Sequence, residues 1–201
     1  MWQFFTKGGI IMIPLAFCSI LGLIIVVERI LYYSLHNQTS ERAFKQLKHH
    51  LTQGKLDEAK YLASGWRTPL GRIIESVIKQ WQTDSSLIDQ TAQSVGEQEL
   101  RSLQRGLGLL DTVVTASPLL GLLGTVTGII KSFSALAVVS GGQATQLSAG
   151  VAEALYNTAF GLAIAIPALF FVNIFYGIAE KKARELTFNT EEIIAILNKA
   201  R

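Results

Sequence analysis

The chain has 201 residues, of which 49% are hydrophobic and only 16% are charged, well below the ~25% charged residues of a typical soluble domain. The formal net charge is +3 without a dense block of Lys and Arg, so the sequence does not indicate a nucleic-acid-binding protein. Cys18 is the only cysteine, which excludes an internal disulfide and a cysteine metal cluster. This composition favours an integral membrane protein.

Three segments are long and apolar enough to cross a bilayer, which takes about 20 residues for about 30 Å of hydrocarbon. We predict transmembrane helices over residues 8–28, 107–139 (including its outer end) and 150–179. The first segment has no basic n-region and no small-residue cleavage site, and the charged Glu28 and Arg29 follow it. We therefore expect this segment to be retained and not cleaved as a signal peptide.

The basic residues predict the orientation, because Lys and Arg concentrate on the cytoplasmic side of membrane proteins. Apart from Lys7 and Lys131, every Lys and Arg lies within residues 29–106 or 180–201, so both segments are predicted to be cytoplasmic. Two further segments are then expected to face the periplasm: residues 1–7 and the loop 140–149. This arrangement indicates a multi-pass protein of the bacterial inner membrane.

Residues 29–106 are predicted to be helical, with Thr68 as an N-cap and Pro69 in the first helical position. An apolar stripe at helical spacing follows: Leu70, Ile73, Ile74, Val77, Ile78 and Trp81. Two shorter stripes precede it: Ala43, Phe44, Leu47 and Leu51, then Leu56, Ala59, Tyr61 and Leu62. We expect the main stripe to pack within and between subunits, so that Ile74→Asp would disrupt assembly.

The ends of the longer helices are predicted from capping signals. Ser86 and Asp89 can form a capping box, and the helical pattern continues without proline to Pro118, which predicts one rod that extends into the cytoplasm. Ser148 is a predicted N-cap of the third membrane helix, and residues 180–201 are predicted to form a C-terminal helix. The predicted fold is an all-α integral membrane protein with three transmembrane helices and long helices that extend into a cytoplasmic helical bundle.

The second membrane segment carries small residues at positions that face a neighbouring helix. Gly121, Thr125 and Gly128 share one face, and Gly124 lies beside them. Small residues at this spacing allow another helix to approach closely, so helix packing is one interpretation. The other is that Thr125 supplies a hydroxyl that holds a water or bonds to an ionisable group of a neighbour. Both interpretations stay open.

The third membrane segment contains one carboxylate, Glu153, which costs ~2.5–3.5 kcal/mol at the centre of a bilayer. We therefore predict that it faces a wet or protein-lined interior, although a place at the outer interface is an alternative. Asn157 shares its face, and Thr158 begins a neighbouring small-residue stripe through Gly161. Since only Glu153 and the interfacial Asp111 are acidic in these two helices, a complete proton path needs an acid from a partner.

Two motifs, Gly121–Gly128 and Gly150–Gly161, in their order and topology resemble the MotA/TolQ/ExbB proton-channel family, and the ExbB branch is the most similar. The resemblance covers nearly the whole chain. MotA proteins have an additional membrane helix that this sequence lacks, so a role as a flagellar stator is less well supported. The resemblance implies a homo-oligomer, a pentamer, around a single-span partner of the ExbD or TolR type that carries a membrane aspartate.

The same resemblance implies roles for individual residues. Thr125 and Thr158 match pore-facing threonines of the family, and Glu153 matches its acidic residue in the pore helix. Ion flow would then move the partner and energise outer-membrane transport through a TonB-like protein. A TolQ-like role in envelope integrity shares these motifs, and a passive membrane scaffold is the alternative from another class.

An enzyme is not predicted. The three histidines, His36, His49 and His50, all lie in residues 29–106, and no nucleophile, base and acid converge at membrane depth. His49 and His50 point about 100° apart on a helix and lack a spaced acidic partner, so neither a metal site nor another cofactor is expected.

Overall fold

A computed structural model of the protein describes residues 9–35, 40–136 and 143–199. Within these ranges the chain forms seven α-helices, one short 3-10 turn and no strand. The helices are α1 (Met12–Leu35), α2 (Glu41–Thr52), α3 (Leu56–Ser64), α4 (Pro69–Thr83), α5 (Ile88–Leu103), α6 (Leu107–Leu136) and α7 (Gln143–Lys199).

Three of the helices are long and apolar enough to cross a membrane: α1, α6 and α7. Their spans by length and composition are Met12–Ser34, Leu107–Ser134 and a part of Ser148–Lys199. The prediction of an all-α membrane protein with three transmembrane helices is confirmed.

The chain divides into two compact units. The apolar unit comprises the described residues of Met1–Arg29 and Gly106–Phe175, and the bundle unit those of Ile30–Arg105 and Tyr176–Arg201. The division lies close to the predicted limits of segments 29–106 and 180–201. The side of the membrane on which each segment lies stays a prediction.

The bundle unit forms around the predicted apolar stripe of α4. Thr68 accepts a hydrogen bond from the backbone N–H of Gly71 at 3.3 Å, with Pro69 in the first turn, as predicted. The stripe and residues of α2, α3 and the end of α7 form one buried core: Leu47, Leu51, Ala59, Ala63, Leu70, Ile73, Ile74, Val77, Ile78, Ile193 and Leu197. Trp81 packs against this core and is only partly buried.

The core corrects two expectations. Ile74 is 0% exposed within one subunit, so this position is not available for contacts between subunits, and Ile74→Asp would test folding instead of assembly. Tyr61 is 81% exposed, whereas Ala63 is fully buried in its place. Ala59 and Ala63 are four residues apart and share a helix face, while Tyr61 points away from it.

The predicted rod through α5 and α6 is wrong. α5 ends at Leu103, and α6 begins at Leu107 after Gly106, whose φ is +77°. This left-handed conformation is readily available only to glycine, which commonly ends helices in this way. Before α5, Asp84 and not Ser86 provides a side-chain cap, and it caps the 3-10 turn Ser85–Leu87 that leads into α5. The Asp84 carboxylate accepts from the backbone N–H of Ser86 at 2.9 Å.

The predicted start of the third long helix is also wrong, whereas the limits 150–179 of its membrane-spanning part stay a prediction. α7 begins at Gln143, inside the predicted loop 140–149, so Ser148 is an interior helical residue and not its N-cap. The helix then continues to Lys199, so that the described part of the predicted C-terminal helix 180–201 belongs to α7, and Pro167 lies inside it. Its 57 residues extend about 85 Å at 1.5 Å per residue, so hydrocarbon about 30 Å thick covers only part of it.

Candidate functional site

The central feature of the apolar unit is a close contact between α6 and α7. A Cβ atom at Gly121 would lie 2.8 Å from the carbonyl oxygen of Asn157 and 3.0 Å from Cα of Thr158. A Cβ at Gly161 would lie 2.5 Å from the carbonyl oxygen of Ser117. No side chain larger than that of glycine fits at these positions without a shift of the backbone. The two helices therefore approach through glycine, as in other tightly packed membrane helices.

The contact continues along α6 through Gly124 and Gly128. A Cβ at Gly128 would lie 3.1 Å from Cβ of Ala154, and one at Gly124 would overlap the side chain of Asn157. All four glycines predicted to pack helices, Gly121, Gly124, Gly128 and Gly161, thus lie in this contact. The face that packs on α7 comprises residues three and four apart, and Thr125 lies beside it, partly exposed.

Two serines extend the contact and were missed by the sequence analysis. Ser117 and Ser132 are 0% and 3% exposed. Their hydroxyls donate to the carbonyls of Val113 at 2.7 Å and Gly128 at 2.8 Å, one turn earlier in α6. Each lies four residues from a contact glycine, and this spacing is the signal that could have identified them. Because both serines are buried where α6 and α7 approach, and both hydroxyls donate to the backbone of α6, they belong to the packing contact.

The two predicted threonines occupy different positions. Thr158 donates a hydrogen bond to the carbonyl of Gly121 at 3.1 Å and so joins α7 to α6. Thr125 donates to the carbonyl of Leu122 within α6, at 2.6 Å. In both cases the hydroxyl oxygen retains lone pairs, so each threonine can still accept a hydrogen bond from water or from an acid.

Asn157 is buried between the helices. Its side chain is 1% exposed, and its Oδ1 has no hydrogen-bond partner among the described residues. Within one protomer Asn157 is thus buried against α6, and its place in the lining of a pore stays a prediction. Since a buried amide oxygen without a partner is costly, a water or a donor from another chain is expected at this position.

Glu153 lies beside the one basic residue of the segment 106–175, Lys131. Its Oε1 is 3.4 Å from Nζ of Lys131, and its side chain is 25% exposed. A Cβ at Gly9 would overlap the same carboxylate, so Glu153 lies where α1 begins and α6 approaches its end. This geometry places the carboxylate beside a cation that offsets the cost of its charge, while the depth and side of the membrane at which the pair lies stay a prediction. Lys131 stood out in the sequence only as a basic residue outside segments 29–106 and 180–201, and its pairing with Glu153 was not predicted.

Asp111 is not brought together with these residues. It is exposed, lies in the first turns of α6 and precedes Lys131 by twenty residues, or about 30 Å of helix. Between these two positions α6 carries no ionisable side chain, and residues 154–179 of α7 contain no Asp, Glu, Lys, Arg or His. Between these charged positions, therefore, α6 and α7 offer hydroxyls and the amides of Asn157 and Asn173 but no proton-carrying acid.

Comparisons with known proteins agree with these features. The profile of the MotA/TolQ/ExbB proton channel family matches residues 65–187, more than half of the chain. A protein of Synechocystis sp., named as an ExbB-like biopolymer transport protein, is 32% identical over 168 residues, covering 82% of this chain and 66% of the relative. The biopolymer transport protein exbB1 of Vibrio cholerae is 32% identical over 168 residues, covering 80% of this chain and 72% of that protein.

A relative from the other branch also matches. The Tol-Pal system protein TolQ of Pseudomonas aeruginosa is 42% identical over 102 residues, which cover 50% of this chain and 44% of that protein. The present chain therefore spans about two thirds of the Synechocystis relative and less than half of this TolQ. The matched family consists of channels and is not a family of enzymes.

Proposed function

Because the chain belongs to the MotA/TolQ/ExbB proton channel family, we propose that it is the channel-forming subunit of an inner-membrane motor driven by the proton-motive force. In this proposal several copies, a pentamer, surround the membrane helix of a single-span ExbD/TolR-type partner. Proton flow moves this partner, and a TonB-like protein transmits the work to outer-membrane transport. The relatives named as biopolymer transport proteins support this ExbB-like assignment.

The observation that carries the proposal is the α6–α7 contact, in which the two family motifs face each other. Glycines hold the helices close, and Thr158 reaches Gly121 across the contact. A hydroxyl can relay a hydrogen bond but cannot hold a proton charge, and neither helix supplies an acid at this depth. A membrane aspartate of the partner would supply the missing group. Proton transfer would then occur between two chains.

The remaining polar residues of the apolar unit take roles along this path. Thr125 and Thr158 accept hydrogen bonds from the partner's aspartate or from water, and Asn157 Oδ1 holds a water between α6 and α7. Glu153 and Lys131 lie at the periplasmic end, with residues 1–7 and the loop between α6 and α7 outside, and the C-terminus lies in the cytoplasm. One charge that crosses 100 mV supplies ~2.3 kcal/mol for each working step.

A TolQ-like role is the second candidate, because TolQ of Pseudomonas aeruginosa is 42% identical over the 102 residues it shares with this chain. The same motor would then maintain the envelope instead of energising import. Complementation separates the two roles. An ExbB-like protein restores siderophore-dependent growth to a strain without ExbB, and a TolQ-like protein restores detergent resistance to a strain without TolQ.

Thr158 provides the direct test of the channel. Thr158→Val retains the side-chain volume and removes the hydroxyl, whereas Thr158→Ser retains the hydroxyl. We expect Thr158→Val to reduce proton flux at least about tenfold, the effect of losing one proton-relay group. We expect Thr158→Ser to conduct within a few-fold of wild type. Flux is measured in proteoliposomes that contain the chain with its co-purified single-span partner.

Native mass spectrometry of the same samples provides the control for assembly. Thr158→Val should retain the wild-type number of copies and the partner, because only one neutral hydrogen bond is lost. Wild-type flux from an intact Thr158→Val assembly would contradict a role for this hydroxyl. A monomer that retains no single-span partner in the wild type would overturn the motor as a whole.

A further inference from the structure

The bundle unit contains a groove of about 460 Å³ between α5 and the last turns of α7, a volume within the range of ligand-binding pockets. Its floor is apolar and includes Ile73, which is 1% exposed, together with Ala92 and Ile194. Gly96 of α5 lies in the wall, and a Cβ built there meets no atom within 4 Å. The groove can therefore accept an additional apolar side chain.

Acidic side chains surround this apolar floor. Asp89 and Glu97 of α5 and Glu191 of α7 line the groove. Glu97 Oε2 is 3.5 Å from Nη2 of Arg101. Asp89 and Glu191, in contrast, have no ion pair within the part of the chain that the structure describes. The groove thus combines an apolar centre with unneutralised negative charge at its edge, which favours an occupant that is apolar at its tip and positively charged beside it.

Thr190 identifies the side of α7 that faces the groove. It lines the groove and is 7% exposed, and its Oγ1 is enclosed by the chain itself. Neighbouring Thr187 also lines the groove and donates to the carbonyl of Ala183 at 3.1 Å. The groove therefore presents mainly apolar surface and carboxylates to an occupant.

The complementary surface lies on the same helix. Phe188 is 69% exposed, an unusual exposure for an aromatic side chain, and Arg184 precedes it by one turn on the same face. The Arg184 side chain is 67% exposed and pairs with Glu180 at 2.5 Å. Phe188 and Thr190 are two residues apart and therefore point about 160° apart around the helix. Phe188 cannot fill the groove of its own chain.

We propose that Phe188 of one copy inserts into this groove of a second copy of the chain, where Arg184 faces Asp89 and Glu191. The two surfaces differ, so the contact is heterologous and propagates from copy to copy until a ring closes. This interface rests on the proposed assembly of several copies in one membrane, and it assigns the residues that hold neighbouring bundle units together.

Thiol cross-linking tests the pairing directly. In a Cys18→Ser background, one tagged chain carries Gly96→Cys and a second, differently tagged chain carries Phe188→Cys, and both are co-expressed. A short bifunctional thiol reagent, about as long as a phenylalanine side chain, is added to membranes. We expect the mixed-tag dimer at least tenfold above either same-tag dimer. The matched control replaces Phe188→Cys by Tyr61→Cys, an aromatic position that is more exposed than Phe188, at 81%, and should give no mixed-tag product.

A charge exchange supplies an independent measurement. Arg184→Glu and Glu191→Lys should each reduce the fraction of protein in the oligomer several-fold, and the double variant should restore it, because the opposite charges meet again across the interface. Both positions are on the exposed surface, so the melting temperature of each variant should stay close to that of wild type. Rescue by the double variant supports the pairing, and failure of rescue contradicts it.

The outcomes separate this interface from the proposed function. If native mass spectrometry finds the oligomer but no Gly96–Phe188 product forms, the groove pairing is wrong and the assembly proposal stands. If Gly96→Cys instead cross-links to a single-span partner, the occupant is that partner and not a second copy. If no oligomer exists, both proposals fail.

Discussion

The apolar unit and the bundle unit pack their helices by different means. In the bundle unit, large aliphatic side chains such as Leu47 and Ile74 are withdrawn from water, and the hydrophobic effect supplies the driving force. In the apolar unit, α6 and α7 meet through glycine, alanine and serine. Lipid is as apolar as leucine, so burial of large side chains supplies little driving force there, and close contact and interhelical hydrogen bonds replace it.

Because of this difference, the residues that pack the helices of the apolar unit and the polar residues of the candidate site lie on the same surface. Thr158 and Asn157 lie in the same contact as the glycines. A substitution there changes both the separation of the helices and the polar groups between them. In the bundle unit, core positions such as Ile74 and exposed groove positions such as Glu191 are distinct, although Ile73 belongs to both. Either of the first two can therefore be altered without changing the other.

The largest expected effect is at the centre of the bundle core. Ile74→Asp places a carboxylate at a position that is 0% exposed, and we expect it to lower the free energy of unfolding by at least about 4 kcal/mol. Thermal melting of the full-length protein in detergent measures this loss. Tyr61→Asp, at an exposed position of the same unit, should change stability by less than about 0.5 kcal/mol. Equal melting temperatures for the two variants would contradict the core described here.

Glycine substitutions in α6 should have opposite signs. Gly121→Ala introduces a Cβ 2.8 Å from the carbonyl oxygen of Asn157, and we expect a loss of about 1–3 kcal/mol in stability and a loss of proton flux. Gly108→Ala, with no atom within 4 Å of the added Cβ, should stabilise the same helix by up to about 1 kcal/mol. Thermal unfolding of both variants measures the changes in stability, and the proteoliposome assay measures the proton flux. If Gly121→Ala stabilised the protein as well, the close contact of α6 and α7 would be disproved.

Ion pairs allow a finer test within the bundle unit. Arg72 donates to both carboxylate oxygens of Glu99, at 2.6 and 2.5 Å, and its hydrogen bond with Glu99 raises the pKa of Arg72. Glu99 is 7% exposed, so Arg72→Ala leaves a buried carboxylate unpaired and should cost about 1–3 kcal/mol of unfolding free energy. Arg101→Ala, which removes an exposed pair at 3.5 Å, should cost less than about 0.5 kcal/mol. If urea unfolding gave equal losses of unfolding free energy for Arg72→Ala and Arg101→Ala, the distinction between a buried and an exposed ion pair would be refuted.

The smallest expected effect depends on pH. Hydrogen bonds from the hydroxyl and the backbone N–H of Ser86 lower the pKa of Asp84 below its ordinary value of 3.8. A lowered pKa in the folded state means that the stabilisation is present above the ordinary pKa and is lost as the pH falls through the folded value. The melting temperature of wild type should exceed that of Asp84→Ala at pH 7, and this difference should shrink at pH 3.

Ser86→Ala provides the control for this contribution. It removes the hydroxyl donor and retains the backbone donor, so its pH-dependent difference from wild type should be smaller than that of Asp84→Ala. A difference that is the same at pH 7 and pH 3 for Asp84→Ala would show that its carboxylate charge does not contribute to the cap.

Features governed by neighbouring residues could be predicted well. The Thr68 cap, the Pro69 helix start and the buried stripe of α4 depend on residues within one or two turns, and their spacing identifies them. The end of α5 at Leu103 and the start of α7 at Gln143 were predicted wrongly. Gly106 was not recognised as a break, because a glycine can continue a helix or end it, and only its backbone conformation distinguishes the two.

Within the candidate site, the sequence identified the residue types but not their partners. Gly121, Gly128 and Thr158 were selected by periodicity, and they lie in the contact between α6 and α7. The pairing of Glu153 with Lys131, and the burial of Asn157 against Gly124, depend on the register of two helices. Periodicity along one helix contains no information about that register.

The sequence alone determined the class of the protein: three apolar spans, an all-helical chain and two motifs typical of one family. These features follow from hydropathy, helical spacing and short local patterns, which act within single segments. Only the tertiary structure decided which residues share a contact: glycine against backbone, Thr158 with Gly121, Glu153 with Lys131, and the groove beside Thr190. Such pairings depend on how separate helices are placed against one another, because the favourable contacts form only at one register.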